Sequence, residues 1–336
     1  MQVIMKNSKI VGLGHYVPEQ VVTNFDLQKM MDTSDEWIRE RTGIETRHWI
    51  RNGETSICGL GHEATNMALK DAGITADEIE FIIFASVLSD HGFPGGGCFL
   101  QEMLGIPGVP AMDVRNACSG FMYGLSVADK FIKTGTYETV LVVGAEIQST
   151  GIDKTSRGRD ISVIFGDGAG AAVLKAIDDN TKGILTTHLH ADGRYAKKLW
   201  CDWPSIHKTP GMTEKYDDPE HNFPYMDGQF VFKHAITKFP AVIHESLDAA
   251  GYTPKDIDLV IPHQANLRIT EAVARRLELP SEKVYSNIQR YGNTTAASIP
   301  IAMSEAYSEG LIKENSLICL ASFGAGFTWA SALIRW

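Results

Sequence analysis

An internal repeat constrains the fold of this 336-residue chain more than any other feature of its sequence. Residues 68–86 (ALKDAGITADEIEFIIFAS) resemble residues 246–264 (SLDAAGYTPKDIDLVIPHQ) at a constant offset of 178. Each segment combines a helix end, a glycine stop, an acidic turn and an apolar strand. A glycine-rich turn before a final apolar strand also occurs twice, at 165–174 and 323–333. Repeats that occur in the same order along the chain indicate duplication. The alternative is that α/β proteins in general share this succession of helix, turn and strand.

Apolar runs rich in β-branched residues alternate with helix patterns along the chain. Such near-continuous runs are typical of strands that are covered on both faces. Residues 54–73 have apolar residues at helical spacing, with Thr55 or Ser56 as the cap and Gly73 as the stop. The sequence therefore predicts a layered α/β protein with one half at 1–175 and the other at 176–336. Strands are predicted at 80–86, 138–145, 169–174, 257–262 and 315–322.

Residues 193–228 interrupt this alternation with prolines, glycines and charges. A segment of that length without helix or strand patterns is usually a lid, a binding loop or disordered. Its aromatic residues favour a packed lid or pocket wall. These residues are Trp200, Trp203, Tyr216, Phe223 and Tyr225.

Composition excludes several classes of protein. The five cysteines are odd in number and scattered, and no CxxC occurs, so neither a disulfide framework nor a cysteine-rich zinc site is expected. The net charge of −10 argues against nucleic acid as a partner. The N-terminus lacks a basic region followed by an apolar stretch, and no run approaches 18 apolar residues. We expect a cytoplasmic protein with no membrane partner.

Cys118 is the candidate nucleophile. It lies in AMDVRNACSGFMYGL, where an apolar run gives way to a helix pattern. A thiol at a helix N-terminus is close to the positive end of the helix dipole and to unpaired N–H groups. These features favour the thiolate and can stabilise an oxyanion. A small buried side chain is the alternative for any cysteine, and it is our interpretation of Cys58 and Cys319.

His263 and Asn293 are the candidate partners of Cys118. His263 follows the apolar strand pattern DLVIP, and the carboxyl ends of such strands face the ligand crevice of α/β sheets. Asn293 precedes a helix pattern, so a helix N-cap is its alternative role. A looser repeat, ending at Gly135 and Gly310 with an offset of 175, aligns Asn293 with Cys118. Pseudo-symmetry would then bring the three residues together.

Six longer motifs follow one another along the chain: TSDEWIRERTGI (33–44), ACSGF (117–121), FGDGAGAAVL (165–174), IPHQANLRI (261–269), GNTTAAS (292–298) and FGAGFTW (323–329). With these motifs the chain resembles the β-ketoacyl-acyl-carrier-protein synthase III family over essentially its whole length apart from 193–228. The resemblance implies a thiolase-like fold of two pseudo-symmetric halves in αβαβα layers. It also implies a homodimer that uses coenzyme A thioesters, requires no metal or other cofactor, and docks acyl carrier protein.

The resemblance implies a 3-oxoacyl-[acyl-carrier-protein] synthase III type of acyltransferase in fatty acid biosynthesis. Cys118 would take an acyl group from an acyl-CoA primer, with the backbone N–H groups of Cys118 and Ala325 as the oxyanion hole. Ala325 stands where the family usually has glycine. His263 and Asn293 would stabilise the enolate formed as malonyl-ACP or malonyl-CoA loses carbon dioxide. The product would be a β-ketoacyl thioester.

The resemblance also implies two binding surfaces. Trp37 and Arg41 would otherwise be an ordinary helical surface pair, and each docking residue would otherwise be a solvated charge. The residues implied for coenzyme A are Thr33, Trp37, Arg41, Arg157 and Asn266. Those implied for docking the acidic carrier protein are Lys233, Arg268, Arg275 and Arg276.

Three departures from the family pattern bear on the primer. Phe93 matches the position that lines the partner subunit's acyl pocket, and three consecutive glycines should make its element, 91–98, small and flexible. Arg115 and Asn116 replace small apolar residues before the nucleophile. Residues 193–228 are longer than in acetyl-using members. We therefore expect a primer longer or bulkier than acetyl, either medium-chain or branched.

Other functions agree less well with the sequence. The Gly-Leu-Gly at 12–14 lacks the third glycine and the acidic residue of a dinucleotide site. The order Cys, His, Asn mimics papain-like proteases, but their flanking motif is absent. A degradative thiolase needs a second reactive cysteine, which Cys319 does not match, and the intact set disfavours a binding-only relative. The nearest alternative is an acyltransferase that passes the acyl group to a small-molecule or protein acceptor without decarboxylation.

Overall fold

The structure, a computed structural model, describes residues 6–51, 53–205, 215–216 and 222–336. Among the helices of these ranges, none combines the length with the apolar character that crossing a membrane requires. The strands are β1 (Asn7–Tyr16), β2 (Val21–Thr23), β3 (Thr46–His48), β4 (Phe81–Ala85), β5 (Ala111–Val114), β6 (Thr139–Glu146), β7 (Gly168–Ile177), β8 (Gly183–Ala191), β9 (Leu199–Trp200), β10 (Tyr225–Met226), β11 (Leu259–Pro262), β12 (Leu317–Gly324) and β13 (Thr328–Arg335). The α-helices are α1 (Asn24–Leu27), α2 (Asp35–Thr42), α3 (Ile57–Ala72), α4 (Gly96–Met103), α5 (Gly120–Lys133), α6 (Arg159–Ser162), α7 (Gly228–Ala250), α8 (Leu267–Arg276), α9 (Ile288–Tyr291) and α10 (Ser298–Ser308).

The two larger sheets repeat one strand order. The first runs β1-β7-β6-β4-β5 and the second β8-β13-β12-β11. In both sheets the first three strands pair antiparallel and the third and fourth pair parallel. In the second sheet a single parallel bridge, Val260 to Val284, stands at the place of a fifth strand. Strand β7 of the first sheet continues to Ile177, two residues beyond the predicted boundary at 175, and the division into halves stays a prediction.

Helix α3 shows how local sequence determines the elements. Ser56 caps it by accepting a hydrogen bond from the backbone N–H of Gly59, and Gly73 ends it with φ of 66°. Leu60 and Ala64 on its apolar face are buried against the outer face of the first sheet. The predicted helix and both of its ends are confirmed. Burial of an aliphatic side chain such as Leu60 contributes about 1.5–3 kcal/mol.

The elements form five layers. Side chains alternate across each central strand, so that Ile83 faces the middle of the molecule and Phe84 faces α3. Helices α5 and α10 pack between the two sheets, with Phe121 and Ile299 in a common core. Helices α7 and α8 cover the outer face of the second sheet around Val260. The order is therefore α, β, α, β, α.

Both central helices begin at a strained turn. A 3-10 turn at Ala117–Ser119 leads into α5, and a second at Thr295–Ala297 leads into α10. Ala117 and Thr295 have positive φ, 45° and 47°, and lie at the offset of 178. The counterpart of Cys118 is thus Ala296, and the alignment of Cys118 with Asn293 was wrong. The cause is a shorter second helix, 11 residues in α10 against 14 in α5, which reduces the offset to 175 at the helix ends.

The predicted lid, 193–228, lies partly outside the described residues, which omit 206–214 and 217–221. Its described ends are more regular than expected. Residues 193–198 form a 3-10 turn, and β9 pairs antiparallel with β10 through Trp200 and Tyr225. Tyr195 packs edge-on against Phe230 of α7 with ring centroids 5.1 Å apart. Tyr195 therefore packs against α7, whereas Tyr225 is exposed, and the role of the whole segment stays a prediction.

Candidate active site

Cys118 lies where the turn of the first half meets a strand of the second. Its side chain is buried. A Cβ at Gly324, the last residue of β12, would stand 2.6 Å from the Cβ of Cys118, so only glycine leaves room for the cysteine. The hydroxyl of Ser322 in β12 donates to the Oγ of Ser119 at 3.0 Å. The turn around Cys118 is therefore locked against the opposite half of the chain.

The thiol of Cys118 is neutral in this site. Burial, together with a smaller contribution from the charge of Glu146, raises its pKa to about 12. Hydrogen bonds from the backbone N–H groups of Cys118 and Ala325 lower the pKa, but by less. Burial of the sulfur thus opposes the thiolate that the helix N-terminus is expected to favour, and the activation of Cys118 stays a prediction. The two N–H groups nevertheless lie beside the sulfur, as the oxyanion-hole prediction requires.

His263 follows β11 and is held by two contacts. Its backbone N–H donates to the carbonyl of Ala321 in β12 at 2.8 Å. Its Nδ1 lies 2.6 Å from the Oγ of Ser298, the first residue of α10. Burial lowers the pKa of His263 to about 3, so the imidazole is neutral at physiological pH. Its Nε2 is buried, and no described residue forms a hydrogen bond with it.

The surroundings of Ser298 favour one tautomer of His263. The backbone N–H of Gln264 can only donate, and it lies 3.4 Å from the Oγ of Ser298. The serine hydroxyl accepts this hydrogen bond and can donate its own proton to Nδ1 of His263. In this tautomer the ring proton is on Nε2, and the unpartnered buried nitrogen is a hydrogen-bond donor.

Asn293 is fixed by its backbone and by its side-chain oxygen. Its N–H donates to the carbonyl of Ile164 at 2.9 Å, and its carbonyl accepts from Gly166 at 3.1 Å. Its Oδ1 accepts from the backbone N–H of Thr295 at 2.8 Å. This bond identifies which atom is oxygen and leaves the Nδ2 amide protons available as donors. The predicted cap-like bond therefore exists and coexists with a donor role.

The two strained turns bring these residues to one place. A Cβ at Gly120 would lie 3.5 Å from the Cβ of Ala296, so the turns are in contact. Cys118 belongs to the first turn, Asn293 directly precedes the second, and His263 is bonded to Ser298 at its end. The turn that carries the thiol therefore packs against the turn that Asn293 precedes and to which His263 is bonded.

Glu146, the last residue of β6, is a buried residue of this region that the sequence analysis missed. It is fully buried, and burial raises its pKa to about 7. Its Oε1 accepts from the N–H groups of Val87 at 3.1 Å and Ala296 at 3.4 Å. Its Oε2 accepts from the hydroxyl of Ser86 at 3.3 Å and the amide of Gln148 at 3.1 Å. The signal in the sequence is an acidic residue that ends the apolar run TVLVVGA.

Of the arginines implied for coenzyme A, Arg41 contacts Trp37 and Arg157 does not. The guanidinium carbon of Arg41 is 4.5 Å from the centroid of the Trp37 ring. Arg159, which the sequence analysis missed, is 5.0 Å from the same ring. Arg157 instead donates to the carboxylate of Asp153, with its Nη2 2.6 Å from Oδ2. Trp37 therefore contacts Arg41 and Arg159, while Arg157 is held by an acidic neighbour.

Asn266 and Thr33 occupy structural positions beside these residues. Asn266 caps α8 by accepting from the N–H of Arg268 at 2.9 Å. Its Nδ2 donates to the carbonyl of Arg41 at 2.8 Å, so its amide joins α8 to α2. Thr33 directly precedes Ser34, the cap of α2, and its buried hydroxyl has no partner among the described residues. A ligand role for Asn266 would compete with both of its present bonds.

The glycines of the element 91–98 are more regular than predicted, while the role of Phe93 in a partner's pocket stays a prediction. Phe93 is 90% exposed, so it lines no pocket within its own chain. The glycines do not make a flexible loop, because Gly96 and Gly97 form the first turn of α4. A Cβ at Gly95 would stand 2.1 Å from the carboxylate of Asp113, and one at Gly96 would stand 2.6 Å from the ring of Phe84. Close packing, not flexibility, explains these glycines.

Arg115 provides no wall for an acyl pocket. It is exposed, and its Nε donates to the carbonyl of Val87 at 2.9 Å. Asn116, partly buried, precedes the turn that carries Cys118. Of these two departures from the family pattern, the arginine therefore bears on the turn after β4 and not on the space available to a primer.

The four residues implied for carrier-protein docking are exposed on α7 and α8, which pack together. The guanidinium carbon of Arg268 lies 5.7 Å from the ring of Phe232. Arg276 donates to the carbonyl of Ile236 at 2.7 Å, which ties α8 to α7. Arg275 forms a long ion pair, 3.8 Å, with Glu271 on its own helix. Lys233 on α7 completes this surface.

The chemistry of the site suits acyl transfer. A thiol can carry an acyl group, and the neutral donors beside it can stabilise an oxyanion or an enolate. Among the described residues, no group of three His, Cys, Asp or Glu side chains could hold a metal ion. With the duplicated five-layer fold, these features define a class of enzyme, the thiolase-fold condensing enzymes.

Comparisons with known proteins agree with this class. Two models described as 3-oxoacyl-[acyl-carrier-protein (ACP)] synthase III and its C-terminal part match residues 112–193 and 247–336. The β-ketoacyl-[acyl-carrier-protein] synthase III of Xanthomonas axonopodis pv. citri is 47% identical over 331 residues, 98% of each chain. The solved structure of the Aquifex aeolicus VF5 3-oxoacyl-[acyl-carrier-protein] synthase III is 42% identical, with TM-score 0.90 over 98% of this chain and 100% of that one. A priming β-ketosynthase of the R1128 polyketide pathway is 31% identical, with TM-score 0.90 over 98% and 97%.

The chain belongs to the β-ketoacyl-[acyl-carrier-protein] synthase III family. The predicted thiolase-like fold is confirmed, and so is the predicted reaction class, a transferase that condenses acyl groups. The roles of the individual residues and the identity of the primer stay predictions.

Proposed function

We propose that the enzyme acylates Cys118 from an acyl-CoA and condenses this acyl group with a malonyl thioester on acyl carrier protein or coenzyme A. The observation that carries the proposal is the buried Nε2 of His263, which no described residue bonds. A buried donor without a partner costs about 1–3 kcal/mol. A thioester oxygen that arrives with the substrate would satisfy it.

In the first step Cys118 attacks the thioester carbonyl of the primer. The neutral thiol loses its proton, the S–C bond forms, and coenzyme A leaves as its thiol. The backbone N–H groups of Cys118 and Ala325 would bond the oxyanion of the tetrahedral intermediate, and the hydrogen bonds that they direct at the sulfur support this role. When the thioester binds, its carbonyl oxygen would take the place of the sulfur as the acceptor for these two N–H groups.

In the second step the malonyl thioester loses carbon dioxide. The electron pair of the broken C–C bond moves into the thioester as an enolate, whose oxygen accepts from Nε2 of His263 and Nδ2 of Asn293. The neutral state of His263 suits this task, because a neutral donor stabilises the enolate without protonating it readily. The enolate carbon then attacks the acyl group on Cys118 and releases the cysteine.

Substrate binding follows the surfaces described above. Adenine of coenzyme A would stack at Trp37 between cationic side chains, and acidic carrier protein would dock on α7 and α8. The two thioesters supply all the reacting groups of both steps. A homodimer is part of the proposal, supported by the exposed Phe93, which would reach into the partner's acyl pocket. A cytoplasmic location is supported by five cysteines that are all free.

For the primer we propose an acyl group longer or bulkier than acetyl, supported by the length of 193–228. Initial rates across a series of straight and branched acyl-CoA thioesters, with malonyl-ACP and malonyl-CoA compared as second substrates, test it. A sharp optimum at acetyl-CoA would exclude this primer. Acyl transfer from Cys118 without release of carbon dioxide would exclude condensation itself.

A further inference from the structure

The symmetry of the two halves gives Glu146 a specific counterpart. Glu146 ends β6 and Gly324 ends β12, again at the offset of 178. Each strand end contacts the turn of the opposite half. Gly324 packs against Cys118, and the carboxylate of Glu146 accepts the N–H of Ala296, the counterpart of Cys118. The N–H that would serve an oxyanion in a second active site therefore binds a side-chain carboxylate.

Glu146 is costly to bury and its donors are all neutral. They include two backbone N–H groups, the hydroxyl of Ser86 and the amide of Gln148, and the hydroxyl of Thr295 also lowers the pKa of the carboxyl. A buried carboxylate without a cation is destabilising unless hydrogen bonds compensate. The proposed reaction does not use this carboxylate directly. Its place at the junction of the turn after β4 and the turn before α10 indicates a different role.

The turn that Glu146 holds is the one that orients Asn293. The N–H of Thr295 binds Oδ1 of Asn293, and the next N–H, that of Ala296, binds Glu146. Thr295 is β-branched and has φ of 47°, a conformation that such residues rarely adopt. Surrounding contacts must maintain this conformation. The contact with Glu146 is one of them.

We propose that Glu146 is a positioning residue, which holds the turn 295–297 so that Nδ2 of Asn293 faces the thioester oxygen during decarboxylation. The inference rests on the proposed function of Asn293. Loss of Glu146 should therefore affect decarboxylation and not acylation, because acylation of Cys118 does not use Asn293. The charge of Glu146 opposes the thiolate of Cys118, so its removal does not slow acylation.

The test measures the half-reactions separately in the full-length enzyme with Glu146→Ala, Glu146→Gln and Asn293→Ala. Acylation by an acyl-CoA is followed by intact mass, and decarboxylation by carbon dioxide released from malonyl-ACP. Glu146→Ala should slow decarboxylation about 10- to 100-fold, as expected for a displaced catalytic group, with acylation unchanged or faster. Glu146→Gln keeps an oxygen for the Ala296 N–H and should recover most of the rate.

Asp129→Asn is the matched control, because Asp129 is an equally buried acid of α5 that bonds Ser8 and Lys133. It should change the melting temperature without changing the ratio of the two half-reactions. An equal loss of both half-reactions in the Glu146 variants would overturn the inference. So would normal decarboxylation in Glu146→Ala while Asn293→Ala abolishes it. Normal decarboxylation in Asn293→Ala would overturn the proposed function, and this inference with it.

Discussion

Ala117 and Thr295 have the same unusual backbone conformation, with φ of 45° and 47°, at corresponding positions of the two halves. Each opens a 3-10 turn that leads into a central helix. The residue that follows is Cys118 in one half and Ala296 in the other. The backbone is thus symmetric and the chemistry is not. One turn presents a thiol, while the other orients Asn293 and binds the carboxylate of Glu146.

Replacement of Cys118 by alanine should abolish the acyl adduct and reduce condensation by about a thousandfold or more, as losses of catalytic nucleophiles do. Intact mass after incubation with an acyl-CoA measures the adduct. Cys98→Ala and Cys201→Ala are the controls, because these two cysteines are the exposed ones among the described residues and would carry a non-specific adduct. An adduct that persists in Cys118→Ala and disappears in Cys201→Ala would refute the assignment of the nucleophile.

His263 should make stability depend on pH. Burial lowers its pKa from 6.5 to about 3 in the folded enzyme. Between these values the unfolded chain binds a proton that the folded chain does not, so stability falls as pH falls. From about pH 8 to about pH 5 this histidine alone should cost about 2 kcal/mol.

His263→Gln lacks this ionisation, so its stability should fall less than that of the native chain over the same range. Urea unfolding at several pH values, compared between the two chains, measures the difference in slope. The absolute stabilities can differ without affecting the comparison. Parallel pH profiles would show that His263 is not buried in its neutral form.

The sequence predicted the elements that local signals specify. The cap at Ser56, the stop at Gly73 and the apolar run of β6 all follow from patterns within a few residues. The repeat predicted that two similar sheets would form. It misaligned Asn293 with Cys118, because the sequence pattern does not show that α10 is three residues shorter than α5. The glycines near Phe93 were misread as flexible, since the atoms that they approach come from β4 and β5.

Residues that act through distant contacts could not be predicted. The carboxylate of Glu146 finds its donors on segments 60 residues before it and 150 residues after it along the chain. The neutral thiol of Cys118 was also missed, because desolvation depends on the packing of both halves around the sulfur. In each case the chemistry depends on tertiary surroundings, which spacing does not encode.

Arg159 should contribute to binding of acyl-CoA although Arg157 was the predicted residue. Its guanidinium lies over Trp37 and forms long ion pairs, 3.8 Å to Asp32 and 3.7 Å to Asp160. The guanidinium of Arg157 instead forms a close ion pair with Asp153. Arg159→Ala should raise the KM for acyl-CoA about two- to fivefold, the equivalent of an exposed cation–π contact. The KM for malonyl-ACP should not change, because the carrier protein has no adenine.

Arg39→Ala is the control for Arg159→Ala. Arg39 lies on α2 beside Trp37 in sequence, but its guanidinium pairs with Glu45 at 2.9 Å. Steady-state kinetics with each substrate varied in turn provide the comparison. Equal effects of Arg159→Ala on both KM values would indicate a general disturbance of the surface and not a contact with coenzyme A.

Charge reversal on α7 and α8 should lower the activity with malonyl-ACP but not the activity with malonyl-CoA. Lys233→Glu and Arg275→Glu place negative charges on the surface proposed to attract acidic carrier protein. Together they should lower kcat/KM for malonyl-ACP about tenfold at low salt, with less effect as salt screens the attraction. The value for malonyl-CoA should stay the same, and Arg276 is left unchanged because it ties α8 to Ile236. Lys70→Glu on α3, in the other half, changes the net charge as much as Lys233→Glu or Arg275→Glu alone and is the control for each single variant. An equal loss there would show that overall charge, not this surface, attracts the carrier protein.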